Sequence, residues 1–394
     1  MSRKRERKLR CGAAGILFAC ALATLVMAGT TANWAVAGGS TVLFYAAHRI
    51  MIGRPGLAVL TYHSVSPDAS WLPWASEISV NPVSFEAQMK MLKSMGLELI
   101  DDATADVLRA AGSAKLKNYV VVHFDDGYYD NLVHAAPIAA RYGVRATIFA
   151  SLDFIEPEQR QRANGGTDGY LKWSELRELR DRFGWSVQPH GIDHGRIPVS
   201  DRAIDTLTED NWRRHAWLQW HKMPGAKYAW YRSELPPAVP LGSSVPESVL
   251  ALAGCGIIDG QYEDENHLRT RLHHHLSHCQ AQFESELGTS PAIFCWPENH
   301  ACSQGRHLAT QLGYTATTAG HGRNTADEDP AVISRLHVGD RALGFRWPWA
   351  DAQLLRAQIR LMQGNFYWYI VVGTMNAVRK AVFSLRRFDR KAAK

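Results

Sequence analysis

Short apolar runs alternate with amphipathic stretches along most of this chain, and several of the runs stop at an ionisable residue. Residues 57–62 end at His63, residues 119–124 end in Asp125-Asp126-Gly127, residues 185–188 lead to His190, and residues 292–296 lead to Pro297-Glu298. Between them, residues 85–95, 131–142, 173–183 and 264–287 carry helical spacing, with Gly96 and Gly143 as stops. Residues 307–312 read as a further helix, and residues 146–150, 314–317 and 332–338 as further strands. Strands that alternate with helices call for a parallel sheet joined by helical crossovers. Chemistry in such folds collects at the carboxyl ends of the strands, where these ionisable residues fall. About seven units of this size would close an irregular α/β barrel. Residues 196–262, rich in Trp and Pro, interrupt the alternation and read as an irregular insertion.

The two ends differ from the body. Residues 1–10 and 379–394 are strongly basic, while the overall net charge is only +6, so the body is mildly acidic. That pattern excludes a nucleic-acid partner, which needs a basic face on the folded domain, and suits anionic lipid headgroups. No Asp, Glu, Lys or Arg occurs from Cys11 to Ala47. A bilayer core needs about 20 apolar residues in helix, so residues 12–34 can span once. A cleaved signal peptide is the competing reading, but its apolar core usually runs only about 7–15 residues. Residues 1–50 are therefore read as a basic terminus and single-pass anchor of the cytoplasmic membrane. The positive-inside rule then places the body, residues 51–345, on the extracytoplasmic side. Residues 346–394 form an aromatic and basic tail, which either lies in the headgroup layer or packs as a final helix on the barrel. Of six cysteines, Cys295 with Cys302 or Cys255 with Cys279 could pair in an oxidising compartment.

Two motifs carry the chemistry. Adjacent side chains at a strand end diverge, so one carboxylate of Asp125-Asp126 can meet a cation while its neighbour faces a substrate, and Gly127 permits the sharp turn. His190 and His194 are two imidazoles four residues apart. With one carboxylate they make a facial set that leaves positions open for water and substrate. Together, with about 60 residues between them, the motifs resemble those of the polysaccharide deacetylases of the NodB-homology class, carbohydrate esterase family four. The resemblance covers roughly residues 57–340. It extends to Leu60-Thr61-Tyr62-His63-Ser64-Val65, to Asn81-Pro82-Val83-Ser84-Phe85-Glu86, to Pro291-Ala292-Ile293-Phe294-Cys295-Trp296-Pro297 and to Gly313-Tyr314-Thr315-Ala316-Thr317.

The resemblance implies a distorted (β/α)7 barrel that removes N-acetyl groups from amino sugars. Asp126, His190 and His194 would hold a divalent metal, zinc by default and iron, cobalt or nickel as alternatives. Asp125 would be the general base. In the branch with an early Tyr-His strand, that of the poly-N-acetylglucosamine deacetylases, the histidine supplies the acid, here His63, with His337 as its rival. A backbone N–H near Trp296, Pro297 and Glu298 would support the oxyanion. The substrate would be an N-acetylated cell-envelope polysaccharide or a lipid-linked amino sugar. A deformylase or O-deacetylase, and a non-catalytic glycan-binding protein, are the alternatives. Three departures stand out: Cys295 replaces the arginine that normally steadies the base, Glu298 replaces a tyrosine and puts a carboxylate near the metal, and His123 replaces a small residue. They imply a specialised substrate or reduced activity. His274 and His278 have zinc-capable spacing on a helix, but read as a solvated face.

Overall fold

The computed structural model describes residues 2–31, 34–113, 115–162, 165–223 and 225–392. Its centre is a ring of parallel strands: β1 (Ala58–Tyr62), β2 (Glu98–Leu99), β3 (Tyr119–Phe124), β4 (Thr147–Ala150) and β5 (Ser186–Pro189) form one side. Residues 120–122 of β3 are three consecutive valines, buried throughout. An uninterrupted β-branched run of this kind suits a strand covered on both faces. Leu60 lies opposite Val122, Phe124 opposite Ile148, and Ile148 opposite Val187. β2 pairs only with the first two residues of β3.

The ring continues where the Cys295 N–H donates to Pro189 O at 3.0 Å, bringing the strand Ile293–Phe294 beside β5. That strand pairs with Ala316–Gly320, which pairs with Val332–Ser334. Leu336–His337 then returns to β1, with Thr61 opposite His337. The described residues thus make a distorted (β/α)7 barrel, as the sequence implied. The helix Pro82–Ser94 shows how crossovers attach: Asn81 caps it by accepting the Val83 N–H at 3.0 Å, and Phe85, Met89 and Leu92 are fully buried against the strands.

The insertion is more regular than its sequence suggested. Arg196–Thr206 and Ser244–Leu250 form an antiparallel ribbon, with a short helix, Ala216–Lys222, between them. Trp212, Trp217, Trp220 and Trp230 pack with Leu72, Tyr128, Phe154 and Tyr170 in a core of their own. The tryptophans that looked irregular in sequence are what this ribbon folds around.

The N-terminal residues form two helices. α1 (Arg3–Thr31) is long and apolar enough to cross a membrane, but α2 (Trp34–Met51) folds back along it. Ser40 Oγ donates to Ala21 O at 2.7 Å, Phe18 meets Phe44 at 6.0 Å, and Arg10 donates to Ile50 O at 2.8 Å, so the helices are antiparallel. Buried Ala14, Ala21 and Ala47 allow the close approach. The start of α1 lies on the barrel: the Arg3 N–H donates to His321 O at 2.7 Å, and Glu6 pairs with Arg323 at 2.8 Å.

The tail, too, is helical. Pro348–Met362 packs beside Pro82–Ser94, with Ser84 Oγ 3.2 Å from Asp351. Tyr369–Ala392 buries Val372 and leaves Ile370 and Val378 exposed. The side chains of Arg386, Arg387, Arg390 and Lys391, and all of Lys394, lie outside the described residues. All six cysteines are free, so neither expected disulfide forms. Cys302 instead caps the helix Ser303–Gln311 through the Gly305 N–H.

Candidate active site

β3 delivers both carboxylates. After Phe124 the backbone turns through Asp126 and Gly127, both left-handed at φ 70° and 69°. A Cβ at position 127 would sit 3.0 Å from Ala150 Cβ, so the second position requires glycine. This turn sends Asp125 inward and Asp126 toward an open cavity. Asp125 is 3% exposed and its N–H is tied to Tyr62 O at 3.0 Å.

β5 delivers the histidines. His190 Nδ1 donates to Cys295 O at 3.0 Å, leaving Nε2 turned to Asp126 Oδ1 at 3.3 Å. The His194 ring lies 5.4 Å from the His190 ring. The loop between them is pinned from a distant helix: buried His275 accepts the Ile192 N–H at 2.7 Å. Burial pushes His275 down to about 4, so it stays neutral and can accept. Gly191, at φ 93°, passes so close to His275 that a Cβ there would meet its Nε2 at 2.8 Å.

Asp126, His190 and His194 each present one ligand atom, all within 4.8 Å of one another. Burial opposes the charge on Asp126, but His190 and His63 outweigh it and hold the carboxyl well below its usual range. An anionic oxygen and two imidazoles, one orientated by a carbonyl behind it, are the donor set of an open divalent-metal site. The residues therefore fit the metal that the sequence implied. Asp125, His190 and Cys295 also cluster, but Asp125 Oδ1 is already bound by Arg335.

That arginine is the residue the sequence did not reveal. Arg335, between Val332–Ser334 and Leu336–His337, donates to Asp125 Oδ1 at 2.6 Å, with both side chains about 5% exposed or less. Cys295 Sγ sits 3.7 Å from the same oxygen. Asp125 is thus supported by an arginine from elsewhere in the chain, which corrects the expectation that Cys295 leaves it unsteadied. Burial alone would raise the Asp125 pKa, yet Arg335, His190 and His63 bring it down to about 2.

His63 Nε2 lies 3.9 Å from Asp125 Oδ2, and its ring packs edge-on to His337 at 5.2 Å. Burial brings His63 down to about 4, so it is neutral at neutral pH. His337 Nε2 lies 3.0 Å from Glu77 O. Of the expected oxyanion donors, the Trp296 N–H is occupied by Thr318 Oγ1 at 3.0 Å and Pro297 has none, which leaves the Glu298 N–H. The Glu298 carboxylate pairs with Arg196 at 2.9 Å at the cavity and also acts electrostatically on His194. His123 is accounted for by buried Asp102, 3.0 Å from its Nε2. His274 and His278 stack at 5.7 Å and join no metal cluster among the described residues.

The site opens into a cavity of about 650 Å³. His63, Asp125, Asp126, His190, His194 and Arg335 line it, and so do the aromatic side chains of Trp74, Tyr128, Tyr170, Trp217 and Trp220.

Residues 112–230 match the polysaccharide deacetylase family. Over 138 residues the chain is 30% identical to YxkH of Bacillus subtilis (strain 168), named as a polysaccharide deacetylase; the match spans 35% of this chain and 43% of that protein's length. Two solved structures share the fold. A de-N-acetylase from Aggregatibacter actinomycetemcomitans superposes with a TM-score of 0.50 at 18% identity, covering 71% of this chain and 94% of its own. The deacetylase domain of BpsB from Bordetella bronchiseptica gives 0.50 at 17% identity, covering 73% and 97%. The matched segment contains Asp125, Asp126, His190 and His194 and stops short of Arg335. The part of this chain that holds the site, residues 112–230, is thus similar to the polysaccharide deacetylases.

Proposed function

We propose that the protein is a metal-dependent hydrolase that removes N-acetyl groups from amino sugars of a cell-envelope polysaccharide or lipid-linked glycan. The observation that carries this reading is the convergence of Asp126, His190 and His194 beside a buried Asp125 that is already paired with Arg335. Asp126, His190 and His194 would hold the metal, which when bound polarises an acyl carbonyl and makes water acidic enough to be deprotonated near neutral pH. Asp125, spared from ligation and ionised, accepts a proton from the attacking water. His63 enters the reaction neutral, so it serves as acid only after gaining a proton within the turnover, and Asp125 at 3.9 Å is its nearest source. The Glu298 N–H is the remaining backbone donor for the developing oxyanion. The aromatic side chains that line the cavity offer flat apolar faces to the sugar ring.

The features that favoured a non-catalytic binding protein lose their force, since Arg335 replaces the missing arginine and Glu298 is paired with Arg196. The α1–α2 hairpin would hold the barrel at one face of the cytoplasmic membrane. Metal content and acetate release from N-acetylated glycans, measured for wild type and Asp125→Asn, test the reading. It predicts metal in both and acetate from wild type alone. A metal-loaded wild type that releases no acetate overturns it.

A further inference from the structure

A second cavity adjoins the catalytic one. It measures about 520 Å³, and Arg3 borders both. Arg335 and His337 line the catalytic cavity and the neighbouring Leu336 lines the other, so the two adjoin here and at Arg3. One wall of this groove is the first turns of α1, with Arg3, Lys4 and Arg7; no carboxylate is among its lining residues. Arg323, also present, is spoken for by Glu6 at 2.8 and 3.0 Å.

The other three cations form no ion pair among the described residues, and Glu328 acts on Arg3 only at longer range. Arg3 donates to Arg335 O at 2.6 Å and to Met362 Sδ at 3.2 Å. Arg7 lies over the Tyr369 ring at 4.3 Å, and its buried Nε has no hydrogen-bond partner. Lys4 is exposed. Holding three like charges around one cavity is unfavourable unless an anion joins them, and phosphate is the anion best matched to guanidinium and ammonium donors. Arg3 and the Glu6–Arg323 pair dock the terminus on the barrel, whereas Lys4 and Arg7 form no hydrogen bond or ion pair with it among the described residues.

Apolar Leu336, Leu361, Met362, Phe366 and Val372 also line it, together with His321, Gln358 and Asn376. From there α1 continues into the hairpin, where Ile16, Leu25 and Val26 are exposed, and Ile370 is exposed on the last helix. A cavity lined by both cations and apolar side chains suits a phosphate that carries a long hydrocarbon chain.

We infer that this groove binds the phosphate of a lipid-phosphate-linked amino sugar whose sugar ring occupies the adjoining catalytic pocket. The inference rests on the deacetylase reading and narrows it to one substrate class. Arg3, shared by both cavities, marks the junction between sugar and phosphate.

The test uses the full chain in detergent with two synthetic substrates that share one alkyl chain, an N-acetylglucosaminide with and without an intervening phosphate. The phosphate-bearing substrate is expected to have a KM lower by about tenfold, the worth of one charge-assisted contact. Lys4→Gln with Arg7→Gln should erase that preference. Arg5→Gln with Lys8→Gln removes equal charge from exposed positions outside the groove and should retain it. No preference in wild type, or equal loss in both double variants, overturns the inference. If neither substrate releases acetate, the deacetylase reading fails instead, and binding of dodecyl phosphate then decides the groove: loss of binding in the Lys4/Arg7 variant alone supports it, and absence of binding in wild type overturns it. Displacement of dodecyl phosphate by phosphatidylglycerol with equal affinity overturns it in favour of a bulk-lipid headgroup site.

Discussion

Replacing Arg335 with Met removes the guanidinium from Asp125 and leaves a nearly isosteric apolar chain. Both partners are buried, with a 2.6 Å contact. With about 4 Å between charge centres and an effective dielectric near 20, the attraction is about 4 kcal/mol. Deleting one member of a buried pair typically costs about 3–5 kcal/mol, so the two routes agree. The same energy is about 3 pKa units. Since burial alone pushes Asp125 up and Arg335 is the leading influence holding it at about 2, the acid limb of kcat/KM should move up by about that much, toward pH 5. The assay is acetate release from an N-acetylated glycan between pH 3 and 9, with metal content measured on the same samples. Arg335→Lys keeps the charge and should restore most of the pH profile while recovering the rate only in part, because an ammonium lacks the fork. If Arg335→Met is metal-loaded and folded yet its acid limb stays where the wild type's lies, Arg335 does not set the base, and the proposed replacement for the missing arginine is wrong.

Chelation should abolish acetate release and readdition of zinc should restore it; His194→Ala should weaken zinc binding by at least about tenfold, read by isothermal titration, and unchanged affinity would remove His194 from the ligand set. Asp130, buried and hydrogen-bonded to Ser64 and Val65, is raised to about 7 by burial. Its share of stability is full below about pH 4 and is lost as pH rises through about 7, so the difference in melting temperature between wild type and Asp130→Asn should change across that window; a constant difference would refute the shift. Epitopes placed at Ser2 and at exposed Glu209 should become accessible from the same side of sealed membrane vesicles, because α1 begins on the barrel; accessibility from opposite sides would refute the hairpin.

What the sequence determined lies close together along the chain. The valine run of β3 fixed a buried parallel strand, and the residues directly after β3 and β5 fixed where Asp125, Asp126, His190 and His194 would fall. A strand end and its turn dictate side-chain direction over three or four residues, so local spacing was enough. Tertiary structure decided what meets those residues from afar. Arg335 reaches Asp125 across 210 positions because barrel closure sets Thr61 opposite His337, a register no local pattern encodes. His275 was visible only as one histidine in a rich run, and its pairing with Ile192 depends on how that helix packs. The basic terminus was read as a membrane-orientation signal because charge composition gives no direction to a fold. That α1 turns back as a hairpin, and that Arg3 ends at the edge of the catalytic pocket, follow from helix packing and a buried ion pair between residues 317 positions apart.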